Sequence, residues 1–401
     1  MLGSSLDPDY QRAEGALIGE KIIAIRRHLH SHPELSGKEI ETTAYVGRYL
    51  SEQGIPYRLG PHGMGLLSDL TYEQQGLEEM PLIALRADLD ALPIQEENTI
   101  PYRSQKAGVM HACGHDAHTA MLLGALTAIH SIEPLKSRCR GIFQSSEETG
   151  QGALDMVQAD AMKGVSSIIA LHIDPNLPTG SVAISSGPQT AYCQDFTILV
   201  TGRGGHAARP HLTIDPIASA AQLLSLIYQV IPRNTDLKHP VVVTVGEFSG
   251  GACTNVIPDH VSLRGTIRAF SLDIANATRK RLEEICAGMS LCTGAEILMS
   301  AERQLPGVIN DPVVTSICIE AARDLLGKEK LILESSPSMG AEDFADYLTA
   351  APGCMMRLGV RELDTEIRPL HTPTFDLAET ALLLGAKILL RSFFYLNKHT
   401  S

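Results

Sequence analysis

Residues 108–118 read GVMHACGHDAH, with three histidines, a cysteine and an aspartate in one short stretch. Imidazole nitrogen, thiolate sulfur and carboxylate oxygen are the donors that bind divalent transition metals, so this crowding points to a metal centre. Further donors stand far away in the chain. RADLDALP carries Asp88 and Asp90, FQSSEETG carries Glu147 and Glu148, ALHI carries His172, and RPLHTPTFD carries His371. Together with Cys113 and His115 they supply enough N, O and S donors for two metal ions. The neighbouring glutamates suit such a centre. One can hold a cation, while the other stays free to take a proton from water that the metal has acidified.

Each stretch alone has a plainer reading. His172 in an apolar strand fits a satisfied structural histidine, Glu147–Glu148 a solvated helix start, and Cys113 a buried thiol beside a capping turn. Asp116 reads as the cap of a helix whose inner face carries Met121, Leu122, Ala125, Leu126 and Ile129. His28, His30 and His32 read as a packing or polar network on a helix and its exit. His111 and His118 read as hydrogen-bonding partners of the ligands, and Glu342 and Asp343 as neighbours of the metals or, more simply, as charge at a helix N-terminus.

The elements that must position these residues follow from periodicity. PLIALRAD, RGIFQSS and SSIIALHI are short apolar runs of the kind that form buried parallel strands, alternating with amphipathic helices. The fold class is therefore α/β, a mostly parallel central sheet flanked by helices, with ligand positions gathered at the carboxyl ends of the strands. From about Ala191 to Ser300 the order changes to β-α-β-β-α-β, the split ferredoxin-like unit, which can close a small core of its own. The expected organisation is a catalytic domain in two parts, 1–185 and 301–401, with a smaller ferredoxin-like α+β domain at 186–300 inserted between them.

The composition is that of a globular protein: 401 residues, 44% hydrophobic and 20% charged. A net charge of −13 argues against a nucleic-acid backbone as partner. No apolar run approaches the length that spans a bilayer; ALLLGAKILL is interrupted by Lys387. The opening MLGSSLDPDYQRAEG lacks the pattern of a secretory signal, and the eight cysteines show no framework spacing. Reduced thiols and a cytoplasmic protein are the expectation.

The ordered set RRHLHSHPELSGKE, ALRADLDALPI, MHACGHDAHTAMLLGA, FQSSEE, ALHI, GGHAARPH, TNVIPD, RGTIRAF, MGAEDFADY and LHTPTFD runs from about residue 24 to 376. It resembles the M20 family of metallo-aminoacylases and carboxypeptidases, in the amidohydrolase branch that includes hippurate hydrolases, N-acyl-amino-acid deacylases and plant auxin-conjugate hydrolases. The resemblance implies that Cys113, His115, Glu148, His172 and His371 are the protein ligands of two divalent ions, with Mn, Zn, Ni and Co all compatible. It implies that Glu147 is the general base and that Asp88 orients a ligand or fixes the local electrostatics. It also implies that the inserted domain is a lid through which a homodimer forms. His206 would then reach the active site of the neighbouring subunit and stabilise a tetrahedral oxyanion. Asn255, Arg268 and the backbone near Gly340 would gather the substrate and its carboxylate.

Two departures stand out. Other branches carry His-x-Asp where this chain has Arg86-Ala-Asp88, and Cys113 with His115 would make up for the missing imidazole. The proline common after glutamine is replaced in QSSEE, and HAARP carries Arg209, which would either bias the pocket toward acidic substrates or, by the simpler reading, lie on the surface. The expected function is metal-dependent hydrolysis of the amide bond of an N-acyl amino acid. The alternatives are a dipeptidase or carboxypeptidase on the same scaffold, and a catalytically silent homologue that binds amino-acid conjugates.

Overall fold

The structure is a computed structural model that describes residues 8–70, 80–132, 138–334 and 336–400. It divides into two compact units, one of residues 1–189, 309–336 and 342–401, the other of residues 190–308 and 337–341.

The first unit is built on an eight-stranded sheet. Its order is Arg58–Leu59, Leu66–Leu70, Arg138–Gln144, Leu82–Asp88, Val165–Pro178, Gly353–Arg361, Val182–Ala183 and Leu331–Ile332. The four central strands run parallel, and antiparallel pairings occur toward both edges. Leu82–Asp88 is buried along its whole length, the signature of a strand covered on both faces. The helix His115–His130 packs against that strand and against the helices Gly19–Ser31 and Thr380–Thr400. Enclosed on all sides, it buries Ala117, Ala120, Met121, Leu122, Leu123 and Leu126. The helix Pro312–Leu326 begins with Asp311, whose carboxylate accepts from the Val313 and Val314 N–H groups, and with Pro312 where no N–H is needed.

The second unit has a four-stranded antiparallel sheet in the order Val241–Ser249, His260–Ala269, Tyr192–Thr201 and Glu296–Ala301. With the helices Pro216–Asn234 and Leu272–Thr293 the chain order is β-α-β-β-α-β. Alternation along Tyr192–Thr201 sends Phe196, Ile198 and Val200 into a core with Leu223, Ile227, Leu263 and Leu282. Leu199 and Leu298, on the other face, are exposed. Among the described residues no helix is long and apolar enough to cross a membrane, and all eight cysteines are free thiols.

Candidate metal centre

Register in the first unit decides which side chains meet. Asp88 and Gln144 are paired residues at the carboxyl ends of adjacent parallel strands. Arg86 pairs with Ala170, which places His172, two residues on, level with Asp88. His172 therefore lies inside the strand Val165–Pro178 rather than at its end, because this strand continues past its neighbour and pairs there with Gly353–Arg361.

The loops entering the site are held in tight conformations. Gly114 precedes the helix His115–His130 with φ 86°, and a Cβ there would lie 2.3 Å from the Ile173 side chain, so only glycine fits. Ser146 and His371 adopt left-handed backbone with φ 60°, uncommon for residues other than glycine. Glu39 steadies the first by accepting the Ser146 N–H at 2.8 Å, and the Ala112 carbonyl steadies the second by accepting the His371 N–H at 2.8 Å.

The result is a convergence of six side chains. Cys113, His115 and His172 form one triad with ligand atoms within 4.8 Å of one another, and Cys113, Glu148 and His371 form another. His115, Glu147 and Glu148 form a third. Cys113 Sγ lies 3.7 Å from His172 Nε2 and 3.3 Å from His371 Nε2, so the thiol is common to both sides. His115 Nδ1 donates to the Asp90 carbonyl at 2.9 Å. With Nδ1 so engaged, Nε2 lies buried without a hydrogen-bond partner, 3.8 Å from Asp88 and 3.9 Å from both Glu147 and Glu148. His172 Nδ1 is likewise committed, to the Ile173 carbonyl at 2.7 Å. Two imidazoles with their outer nitrogens occupied and their inner ones aimed at a thiol and carboxylates are what bound divalent cations require, and the donor set fits two.

Electrostatics agree with the geometry. Burial alone would raise the Cys113 thiol, but the charge on His115 and hydrogen bonds with His172 and His371 lower it to about 6. His172, despite its burial, is raised to about 9 by Cys113. His371 is raised to about 10 by its hydrogen bonds to Cys113 and Glu148. Burial, reinforced by Glu342 and Asp343, pushes the Glu147 carboxyl well above its ordinary range.

Asp88 is engaged on both oxygens, by His118 Nδ1 at 2.7 Å and Arg86 Nη1 at 2.7 Å. His118 Nε2 accepts the Ile173 N–H at 3.0 Å, so both of its nitrogens are used and it braces the strand beside His172. Asp90 carries more of the site than its sequence context suggested. Its carboxylate accepts from Ser36 and from the Glu148 N–H, and it also contacts His115. An acidic residue two positions after Asp88, on the same exit from a buried strand, was the available signal.

Two readings from sequence require correction, those of Asp116 and His111. Asp116 does not cap its helix: the capping position is Gly114, and the Asp116 carboxylate turns into a buried cluster with Arg26 at 2.9 Å and His30 at 2.8 Å. Asp343 does stand at the N-terminus of a helix, Phe344–Leu348, and it is in addition a buried partner of Arg86 and Gln144. His111 is buried with neither ring nitrogen hydrogen-bonded, and burial lowers it to about 4.

In the second unit, His206 and Asn255 are brought together by a two-stranded ribbon. Val256 pairs with His206, and the Ala207 N–H donates to the Asn255 carbonyl at 3.1 Å. Both residues are exposed, as is Arg209. Arg268 donates to the Met339 carbonyl at 2.8 Å, and the Gly340 carbonyl accepts from Ala191 at 3.1 Å.

Comparison with known proteins places this architecture. An N-acetyl-L-cysteine deacetylase of Bacillus subtilis is 37% identical over 375 residues, covering 93% of this chain and 87% of that protein. A thermostable carboxypeptidase of Saccharolobus solfataricus is 36% identical over 374 residues, with coverage of 92% and 93%. The crystal structure of a Bacillus subtilis protein described as a dinuclear metal-binding peptidase superposes with a TM-score of 0.82 at 33% identity, covering 95% of this chain and 98% of that one. Residues 84–394 match the model of peptidase family M20/M25/M40, and the chain belongs to that family.

Proposed function

We propose that the protein hydrolyses the amide bond of N-acyl amino acids, releasing a carboxylate and a free amino acid. The observation that carries the reading is the buried Glu147 carboxyl, 3.9 Å from His115 Nε2 and beside a donor set that shares Cys113. Likeness to an N-acetyl-L-cysteine deacetylase supports the substrate class.

Two divalent ions held by Cys113, His115, Glu148, His172 and His371 would supply Lewis acidity for the substrate carbonyl and a lowered pKa for the attacking water. Manganese, zinc, nickel and cobalt all suit one thiolate, three imidazoles and a carboxylate. Glu147 takes the proton from the water as it attacks and delivers it to the departing nitrogen, so that the amine leaves neutral. Asp88 holds His118, and through it the backbone beside His172, while Asp90 holds the His115 ring and the Glu148 turn. His206, exposed on its ribbon, stabilises the oxyanion in the neighbouring subunit of a homodimer. Arg268, Asn255 and the backbone at Gly340 receive the substrate carboxylate. The second unit, acting as a lid, supplies the dimer contact. Among the described residues its edge strand Val241–Ser249 pairs on one side only and exposes Val242 and Phe248, as a sheet that continues into a second copy would.

The test is Glu147→Gln, which keeps the size and hydrogen bonding of the side chain and removes its basicity. Ion content of the purified variant should match the parent while turnover of N-acetyl and N-benzoyl amino acids falls by at least about 10²–10⁴-fold. Full turnover by the variant would overturn the assignment of the base. A dipeptidase or carboxypeptidase reading is favoured by the 36% identity to a thermostable carboxypeptidase. Faster turnover of dipeptides than of N-acyl amino acids in one substrate panel would establish it instead.

A further inference from the structure

Arg86 is a buried guanidinium, 3% exposed, that no role described above uses. It lies two residues before Asp88, so both side chains leave the same face of their strand, and Gln144 joins them from the paired strand. Its contacts run in three directions. Nε donates to Gln144 Oε1 at 2.8 Å and Nη1 to Asp88 at 2.7 Å. Nη2 donates to Asp343 Oδ1 at 2.9 Å and lies 3.1 Å from Glu342 Oε1. Gln144 Nε2 closes the ring by donating to both Asp343 oxygens at 2.8 and 2.7 Å.

Glu147, Glu342 and Asp343 place carboxylate oxygens within 4.8 Å of one another, all three buried. Acids crowded in this way repel one another, and without a counter-charge they separate or take up protons. A guanidinium can face two acids and an amide at once because its donors form a rigid planar fork, whereas an ammonium offers one centre of charge. Asp343 is then saturated by Arg86, Gln144 and the Ala153 N–H, while Glu342 is held between Arg86 and the Phe344 N–H at 3.0 Å.

We propose that Arg86 is a positioning residue for hydrolysis: by pinning Glu342 and Asp343 it holds the Glu147 carboxylate in place against His115 and Glu148. This rests on the reading of Glu147 as the base. A displacement of about 1 Å in such a group costs on the order of 10²-fold in rate.

The experiment compares Arg86→Met, Arg86→Lys and Glu342→Gln with the parent protein, using an N-acetyl amino acid as substrate. Bound-ion content and the thermal melting of the ion-free protein are recorded for each. Expected for Arg86→Met is a fall in kcat of roughly 10²-fold with KM within about threefold. Arg86→Lys should recover part of the rate by restoring charge without the fork, and Glu342→Gln should lower kcat to a smaller extent, both with unchanged ion content. If Arg86→Met does not fold, the other two variants carry the test. Parental kcat in both would overturn the inference, as would a loss of rate that tracks loss of bound ion. Glu147→Gln separates the two claims: an active Glu147→Gln sinks the base, whereas an inactive one beside fully active Arg86 variants sinks only the positioning role.

Discussion

The two units are stabilised in different ways. Every fully buried charged or histidine side chain among the described residues belongs to the first unit, from Arg26 and His30 through Arg86, Asp88, His115 and Asp116 to Glu342, Asp343 and Arg391. The second unit buries only Ser219 and Thr278 among polar side chains, and each satisfies itself on a carbonyl one helical turn back. Its core is aliphatic, closed by Phe196, Leu223, Leu263 and Leu282. Buried ions stay folded only when each has partners, so the first unit trades tolerance of substitution for a preorganised polar site. The second carries His206, Arg209 and Asn255 on its surface, where a side chain can change without disturbing the core.

The strongest challenge to this contrast is Arg26→Met. Arg26 is fully buried, and it pairs with Asp116 at 2.9 Å, Glu379 at 3.3 Å and Asp376 at 3.4 Å. Removing one partner of such a cluster costs about 3–5 kcal/mol. Amide hydrogen exchange should report faster opening in the helices Gly19–Ser31 and His115–His130, with the second unit's strands unchanged. Equal loss of protection in both units would break the distinction.

Metal affinity sharpens it next. In the ion-free protein the Cys113 thiolate raises His172 to about 9, and hydrogen bonds to Cys113 and Glu148 raise His371 to about 10, which favours imidazolium at pH 7, while Cys113 is lowered to about 6. A cation must displace the imidazolium protons, and affinity therefore rises with pH below these values. The expected slope is about tenfold per pH unit for each proton released. Calorimetry in buffers of different ionisation enthalpy measures that number, and pH-independent binding between pH 6 and 8 would remove His172 and His371 from the ligand set.

The smallest effect belongs to Glu247→Ala in the second unit. Glu247 lies 3.4 Å from Arg264, with both side chains more than half exposed. Its loss should change stability by no more than about 0.5 kcal/mol. A shift of several kcal/mol in urea unfolding would show that this unit also depends on its charges.

The layered arrangement was legible in the sequence because its signals are local. Continuous apolar runs such as LIAL mark strands covered on both faces, and the 3.6-residue pattern after His115 marks a helix, although that pattern shows one inner face where the structure buries nearly all of it. The residues that converge were legible as types, since thiol, imidazole and carboxylate have few other reasons to cluster. Their partners were not. Arg86 and Asp343 are 257 positions apart, and Arg26 and Asp116 are 90 apart. An acidic residue beside a helix start looks the same in sequence whether it caps the helix or turns inward, as Asp116 shows. That His172 lies inside its strand was not legible, because the spacing of apolar residues carries no information about how far one strand outruns its neighbour.

The left-handed turn at Ser146, kept in shape by a glutamate 107 positions earlier, has a bearing on engineering. Left-handed backbone at such a residue stores of order 1–3 kcal/mol, which only its surroundings can hold in place. Grafting the two-glutamate segment onto another scaffold would therefore carry the reactive groups but not their aim, unless an equivalent of Glu39 came with it. What fixes the aim of that segment is a contact between distant loops, not the motif itself.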